Sequence, residues 1–133
     1  MSLKNLPSPT DSELEILLVL WKEQPCTVRQ INDRINMNRG ENAKEVGYTT
    51  TLKFIQIMLE KGLVRRLVND RVHSYSAVLE EEDAQKRLLK GFVNSTFRGS
   101  AGSLVMSALG SSETTQEELE EIKKLIAKLE NKS

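Results

Sequence analysis

The chain holds little that could cross-link it. Cys26 is its only cysteine and His73 its only histidine. A lone thiol excludes an intramolecular disulfide, and one thiol with one imidazole falls short of the ligand set of an ordinary zinc site, so neither metal nor cofactor is implied. The materials of catalysis are equally sparse. A nucleophile paired with a base, a phosphate-cradling glycine loop or a cluster of metal ligands is needed, and scattered glycines supply none of them, so an enzyme is not expected. No apolar run approaches the roughly 20 residues that cross a bilayer. The opening MSLKNLPSPT lacks the apolar region of a signal peptide, and a cytoplasmic protein is expected.

An excess of positive charge is also missing: 19 Lys and Arg face 19 Asp and Glu, for a net charge of zero. That balance alone argues against a polyanionic partner, because phosphate contacts need a local surplus of cations. The distribution along the chain reverses the argument. Residues 26–79 carry nine Lys and Arg against five Asp and Glu, whereas residues 80–133 carry eight against ten. With 133 residues there is room for one compact domain and an appendage.

The chain is organised around residues 46–64, VGYTTTLKFIQIMLEKGLV. Thr51, Leu52, Ile55, Met58 and Leu59 form one apolar helical stripe. Tyr48 and Thr49 are candidate N-caps, and Gly62 stands where a helix favours a left-handed terminating residue. The opposite face carries Thr49, Thr50, Lys53 and Gln56, a hydrogen-bonding, cationic surface suited to a DNA groove. Residues 63–68 and 72–78 then read as two strands joined at Asn69-Asp70. Helix, strand, tight turn and strand in this order are the signature of a winged helix-turn-helix. Arg71 and His73 alternate with Val72 on the second strand, where an arginine at the wing tip is well placed to reach a minor groove or a phosphate, while His73 is either a second contact or a partly exposed strand residue without a function.

Upstream, Thr10 and Glu13 form a capping box for a helix running to about Lys22. Leu14, Leu17, Leu18 and Trp21 share one face of it, widened by Ile16 and Leu20, with Trp21 as a core anchor. Gln24-Pro25 ends that helix, Cys26 serves as a small apolar residue, and Thr27 caps a second helix, VRQINDRINM. There Val28, Ile31 and Ile35 face inward while Arg29 and Arg34 face out. Residues 36–45 form a polar turn in which Arg39 and Lys44, like Arg29 before them, are candidates for phosphate contact, the alternative being that they only solvate the surface, as Glu41 and Glu45 beside Arg39 and Lys44 suggest. Tyr75 is a packing residue.

At Glu80 the acidic run EEED opens a new helix whose apolar face is Leu88, Leu89, Phe92, Val93 and Phe97. Gly99, Ser100, Gly102 and Ser103 form a break before a short apolar helix over residues 104–109. Thr114 or Thr115 caps a last helix with Leu119, Ile122, Ile126 and Leu129 at 3-4-3 spacing and Leu125 alongside. About 50 residues cannot bury this much apolar surface by themselves. A second copy of the chain completes the core, with Leu88, Phe92, Leu104, Leu119, Ile122 and Ile126 as the expected homodimer contacts. The expected architecture is mainly α with a small β-hairpin: a winged helix-turn-helix DNA-binding domain over residues 8–79 and a helical dimerisation region over residues 80–133.

Four stretches, LPSPTDSELEILLVLWKEQPCTV, YTTTLKFIQIMLEKGLV, NDRVHSYSA and FRGSAGSLVMSAL followed by EELEEIKKLI, together resemble the penicillinase-repressor family over nearly the whole chain. The resemblance implies a homodimeric winged-helix repressor that occupies a double-stranded DNA operator of dyad symmetry. It also implies derepression through a membrane-bound sensor metalloprotease that causes cleavage in the dimerisation region. In the β-lactam-responsive members the cut falls at an Asn-Phe pair, and Ser107-Ala108 occupy the aligned positions here. The copper-responsive branch carries a cysteine-rich tail, which LIAKLENKS does not match. The alternative function is a winged-helix module that binds protein rather than DNA, and the polar, cation-bearing face of Thr49, Thr50, Lys53 and Gln56 counts against it.

Overall fold

A computed structural model describes residues 6–132; the first five residues of the opening segment and Ser133 lie outside the described part. The elements are α1 (Asp11–Glu23), α2 (Val28–Arg39), α3 (Tyr48–Lys61), β1 (Val64–Asn69), β2 (Val72–Ala77), α4 (Glu81–Thr96), α5 (Ala101–Ser111) and α6 (Gln116–Glu130). The mainly helical class with one hairpin is as expected. The chain divides into two compact units, residues 1–90 and 91–133, and α4 runs across the division.

In the first unit, α1 starts with the expected capping box: Thr10 N–H donates to Glu13 Oε1 at 2.9 Å, and Glu13 N–H donates to Thr10 Oγ1 at 3.2 Å. Its inward face is Glu13, Ile16, Leu17, Val19 and Leu20. Leu18, expected on that face, is 52% exposed, because the helix is rotated toward the stripe that contains the buried Glu13. Trp21 is half-buried against the core and its indole N–H donates to the Leu79 carbonyl at 2.9 Å.

The Gln24-Pro25 peptide is cis. Beyond it Cys26 and Tyr75 exchange two backbone hydrogen bonds, at 3.0 and 2.8 Å, which tie the start of α2 to the wing. Cys26 is buried as expected, and its thiol donates to the Glu23 carbonyl at 3.1 Å. Thr27 caps α2 through a second capping box with Gln30. Val28, Ile31 and Ile35 are buried. The helix continues past Met37 to Arg39, where Gly40 takes φ 82°, so the polar turn is shorter than expected.

Gly47, rather than Tyr48 or Thr49, is the N-cap of α3, and no side chain caps it. The helix ends as expected at Gly62, left-handed with φ 82°, where a Cβ would stand 3.2 Å from Leu6 Cδ2. The hairpin pairs Val64 with Ala77 through to Asn69 with Val72. The turn is therefore Asp70-Arg71, one residue later than expected, with φ of 49° and 69°. Arg71 belongs to the turn and does not share a strand face with His73. Ala84, in the first turn of α4, is fully buried in the same core, and Arg87 of that helix donates to the Leu6 carbonyl.

In the second unit the break before α5 is shorter than the glycines and serines suggested. Gly102 and Ser103 lie inside α5, and Ser100 caps it by accepting from Ser103 N–H at 3.1 Å. Thr115 caps α6 in a capping box with Glu118. Neither α5 nor α6 has a buried residue within the single chain.

Candidate nucleic-acid interface

Helix α3 sets the geometry. Thr51, Ile55 and Met58 are buried, with Leu52 and Leu59 half-buried, and this fixes the rotation of the helix. At i, i+1, i+4 and i+7 on the other side, Thr49, Thr50, Lys53 and Gln56 are all exposed. They offer two hydroxyls, an ammonium and an amide on one face, which is the chemistry that reads base edges and phosphates.

The approach to this face is held by α2. Asn36 is bonded to both backbone groups of Val46, accepting from its N–H at 2.7 Å and donating to its carbonyl at 2.9 Å. Asn32, itself buried, donates to the same carbonyl at 3.0 Å and to Thr51 Oγ1 at 2.8 Å. Arg39 clasps Glu15 through two hydrogen bonds of 2.8 and 2.7 Å and donates to the Lys44 carbonyl at 3.1 Å. That Arg39 contact holds the Glu15 carboxyl below its ordinary range, against the opposing effect of burial. The Arg29 guanidinium lies 5.4 Å from the centroid of the exposed Tyr48 ring, a cation–π distance.

These contacts sort the cations of the first unit. Arg34 pairs with Glu23 at 2.9 Å, Arg39 with Glu15, and Lys61 with Glu13 at 2.8 Å. Arg29, Lys44, Lys53, Arg65, Arg66 and Arg71 have no acidic partner among the described residues. The zero net charge thus conceals an uneven distribution among the described residues: Arg34, Arg39 and Lys61 are neutralised within the chain, whereas Lys53 on α3, Arg29 and Lys44 near its start and the three wing arginines are not, and neither are Lys22 on α1 and Lys90 on α4. Of the expected site residues, Thr49, Thr50, Lys53 and Gln56 lie together on α3. Arg29 stands at its first residue, Lys44 is exposed in the preceding loop, Arg71 is at the wing tip and His73 is exposed on β2 opposite Val68. Arg39 is instead occupied in holding that loop. Arg65 and Arg66, both exposed on β1, belong to the basic stretch that follows α3 in the sequence but were not among the expected site residues. Asn32 and Asn36 were overlooked because their partners lie 10 to 19 residues away.

Helices α1 to α3 followed by the β1–β2 hairpin, with the polar side of α3 open, define a winged helix-turn-helix protein. The crystal structure of the YusO protein from Bacillus subtilis shares the fold, with a TM-score of 0.50 and 23% identity over 93% of this chain and 76% of that one. The sequence matches the penicillinase repressor family over residues 9–128, and the chain belongs to that family. It is similar to the methicillin resistance regulatory protein MecI of Mammaliicoccus sciuri, with 24% identity over 119 residues that span 90% of this chain and 93% of MecI. It is also similar to the penicillinase repressor of Bacillus licheniformis, with 27% identity over 136 residues and 98% of each chain.

Proposed function

We propose that this protein is a sequence-specific DNA-binding transcriptional repressor that acts as a homodimer on a dyad operator. The observation that carries the reading is the open face of Thr49, Thr50, Lys53 and Gln56, flanked in the chain by unneutralised arginines, in a family whose relatives are named as repressors. Lys53, Arg65, Arg66 and Arg71 engage phosphates or groove edges, and the α3 hydroxyls and amide read bases. The first unit supplies DNA binding and the second supplies dimerisation.

The case for a dimer rests on what the second unit leaves uncovered. Phe92, Val105, Met106, Leu109, Leu125, Ile126 and Leu129 are exposed, with Met106 at 77%. Of the expected contact set Phe92 and Ile126 are exposed, while Leu88, Leu104, Leu119 and Ile122 are half-buried within the chain. A soluble monomer rarely leaves so much aliphatic surface in water. A membrane-bound sensor metalloprotease is the regulator that the family suggests. Ser107 and Ala108 are exposed but held inside α5, so cleavage between them requires that helix to open locally. Sequencing the genomic fragments that the protein retains tests the function. A recurrent inverted repeat near promoters is expected, and a random spread of fragments contradicts it.

A further inference from the structure

Arg29, Asn32, Asn36 and Arg39 recur along α2 at spacings of three, four and three, which places them on one side of the helix. Each engages the approach to α3 or its first turns: Arg29 the Tyr48 ring, Asn32 the Val46 carbonyl and Thr51 hydroxyl, Asn36 both backbone groups of Val46, and Arg39 the Lys44 carbonyl. No side chain within α3's own N-cap does this work, since Gly47 has none to offer.

We infer that Asn32 and Asn36 are positioning residues for DNA recognition, which set the rotation and advance of α3's first turn without themselves touching DNA. The inference rests on the DNA-binding reading above. Its physical basis is the bonding pattern at Val46. With both its N–H and its carbonyl bonded to one Asn36 side chain, the Val46 peptide has the fixed partners of a strand residue while lying in a loop. Asn32 then joins the same carbonyl to Thr51, four residues before the buried Ile55, so the loop and the inward stripe of α3 are locked to one point on α2. Base readout tolerates errors of only a fraction of a hydrogen-bond length, whereas attraction to phosphates falls off slowly with distance. Loosening this lock therefore lowers discrimination between DNA sequences and leaves general affinity for duplex DNA nearly intact.

The test uses the full-length protein, the duplex that it selects from a random-sequence pool, and a shuffled duplex of the same composition. Asn36→Ala removes both the acceptor and the donor that hold Val46 and leaves the charge of the surface unchanged. Thr51→Val is nearly isosteric and removes only the hydroxyl that Asn32 bonds. Both are assayed at a temperature where circular dichroism shows them folded. Asn36→Ala is expected to lower the ratio of selected to shuffled affinity at least tenfold, and Thr51→Val to lower it less. For both variants the affinity for shuffled duplex and its salt slope stay within twofold of the parent. A parent-like ratio in both variants, or an equal loss on the two duplexes, overturns the positioning role. A parent protein that selects no sequence refutes the proposed function itself, and the inference falls with it.

Discussion

Lys61 Nζ stands 2.8 Å from Glu13 Oε2, joining the last turn of α3 to the first turn of α1 through a carboxylate that is only 1% exposed. Burial alone pushes the Glu13 carboxyl up, but the Lys61 ammonium together with the amide and hydroxyl of Thr10 outweighs it and holds the group below its ordinary 4.5. A carboxylate depressed in the folded state stabilises that state fully above the unfolded value, and the contribution is lost as pH falls through the folded one. Lys61→Met should therefore cost about 2 kcal/mol at neutral pH, because it strands a buried charge. Urea unfolding across pH should show the gap to the parent narrowing once Glu13 is protonated. A gap of the same size at pH 3 and pH 7 would show that the ammonium stabilises through its alkyl packing instead.

The wing tip makes the opposite kind of prediction. Asp70 and Arg71 both adopt positive φ, a conformation that two-residue hairpin turns ordinarily reserve for Asn-Gly pairs. Arg71→Gly should raise stability by about 1 kcal/mol by relieving the left-handed strain. It should also weaken DNA binding and reduce the salt slope by about one ion per wing. Thermal unfolding and a salt titration of the same sample read both effects. A variant that is more stable and binds DNA as tightly as the parent would remove Arg71 from the interface.

The outcome at the wing shows what the sequence can and cannot convey. Two strands and a tight turn were legible from β-branched residues around Asn69-Asp70. The register at the tip was not, since Leu67, Val68 and Val72 are all exposed there, and the buried Val64 and Tyr75 lie toward the far end of the hairpin from the turn. The rotation of α1 was obscure for a related reason. Leu14, Leu17, Leu18 and Trp21 offer a stripe as apolar as the one that is buried, and the deciding residue, Glu13, looks like a surface carboxylate until Lys61 arrives from 48 residues away. The α3 face was legible in full because an apolar stripe fixes its complement. The polar ridge of α2 was not, because asparagines show their use only through distant partners.

On the proposed function, Lys53 is a contact residue and Arg39 a supporting one. Lys53 is exposed on α3, so Lys53→Ala should weaken binding to the selected duplex by about 1 to 3 kcal/mol per monomer without moving the melting temperature. Arg39→Ala releases Glu15 and the Lys44 carbonyl, so it should lower the melting temperature and leave the salt slope unchanged. The reverse pattern would mean that Arg39 leaves Glu15 to meet phosphate.

Removing residues 91–133 should yield a monomer of the first unit that keeps its core, including Ala84 and the contact of Arg87 with Leu6. Affinity for a dyad duplex should fall by orders of magnitude, because two linked half-sites raise each other's effective concentration. Sedimentation of both chains decides the point. A full-length monomer, or a truncated chain that still dimerises, would relocate the interface.

The most direct test of the account is the affinity of the full-length protein for its selected duplex across a range of salt concentrations. Lys53, Arg65, Arg66 and Arg71, doubled in a dimer, should displace condensed counterions, so the logarithm of affinity should fall steeply and linearly with the logarithm of salt. A flat affinity between low and physiological salt, on this and every other duplex tried, would contradict the claim that this surface binds DNA.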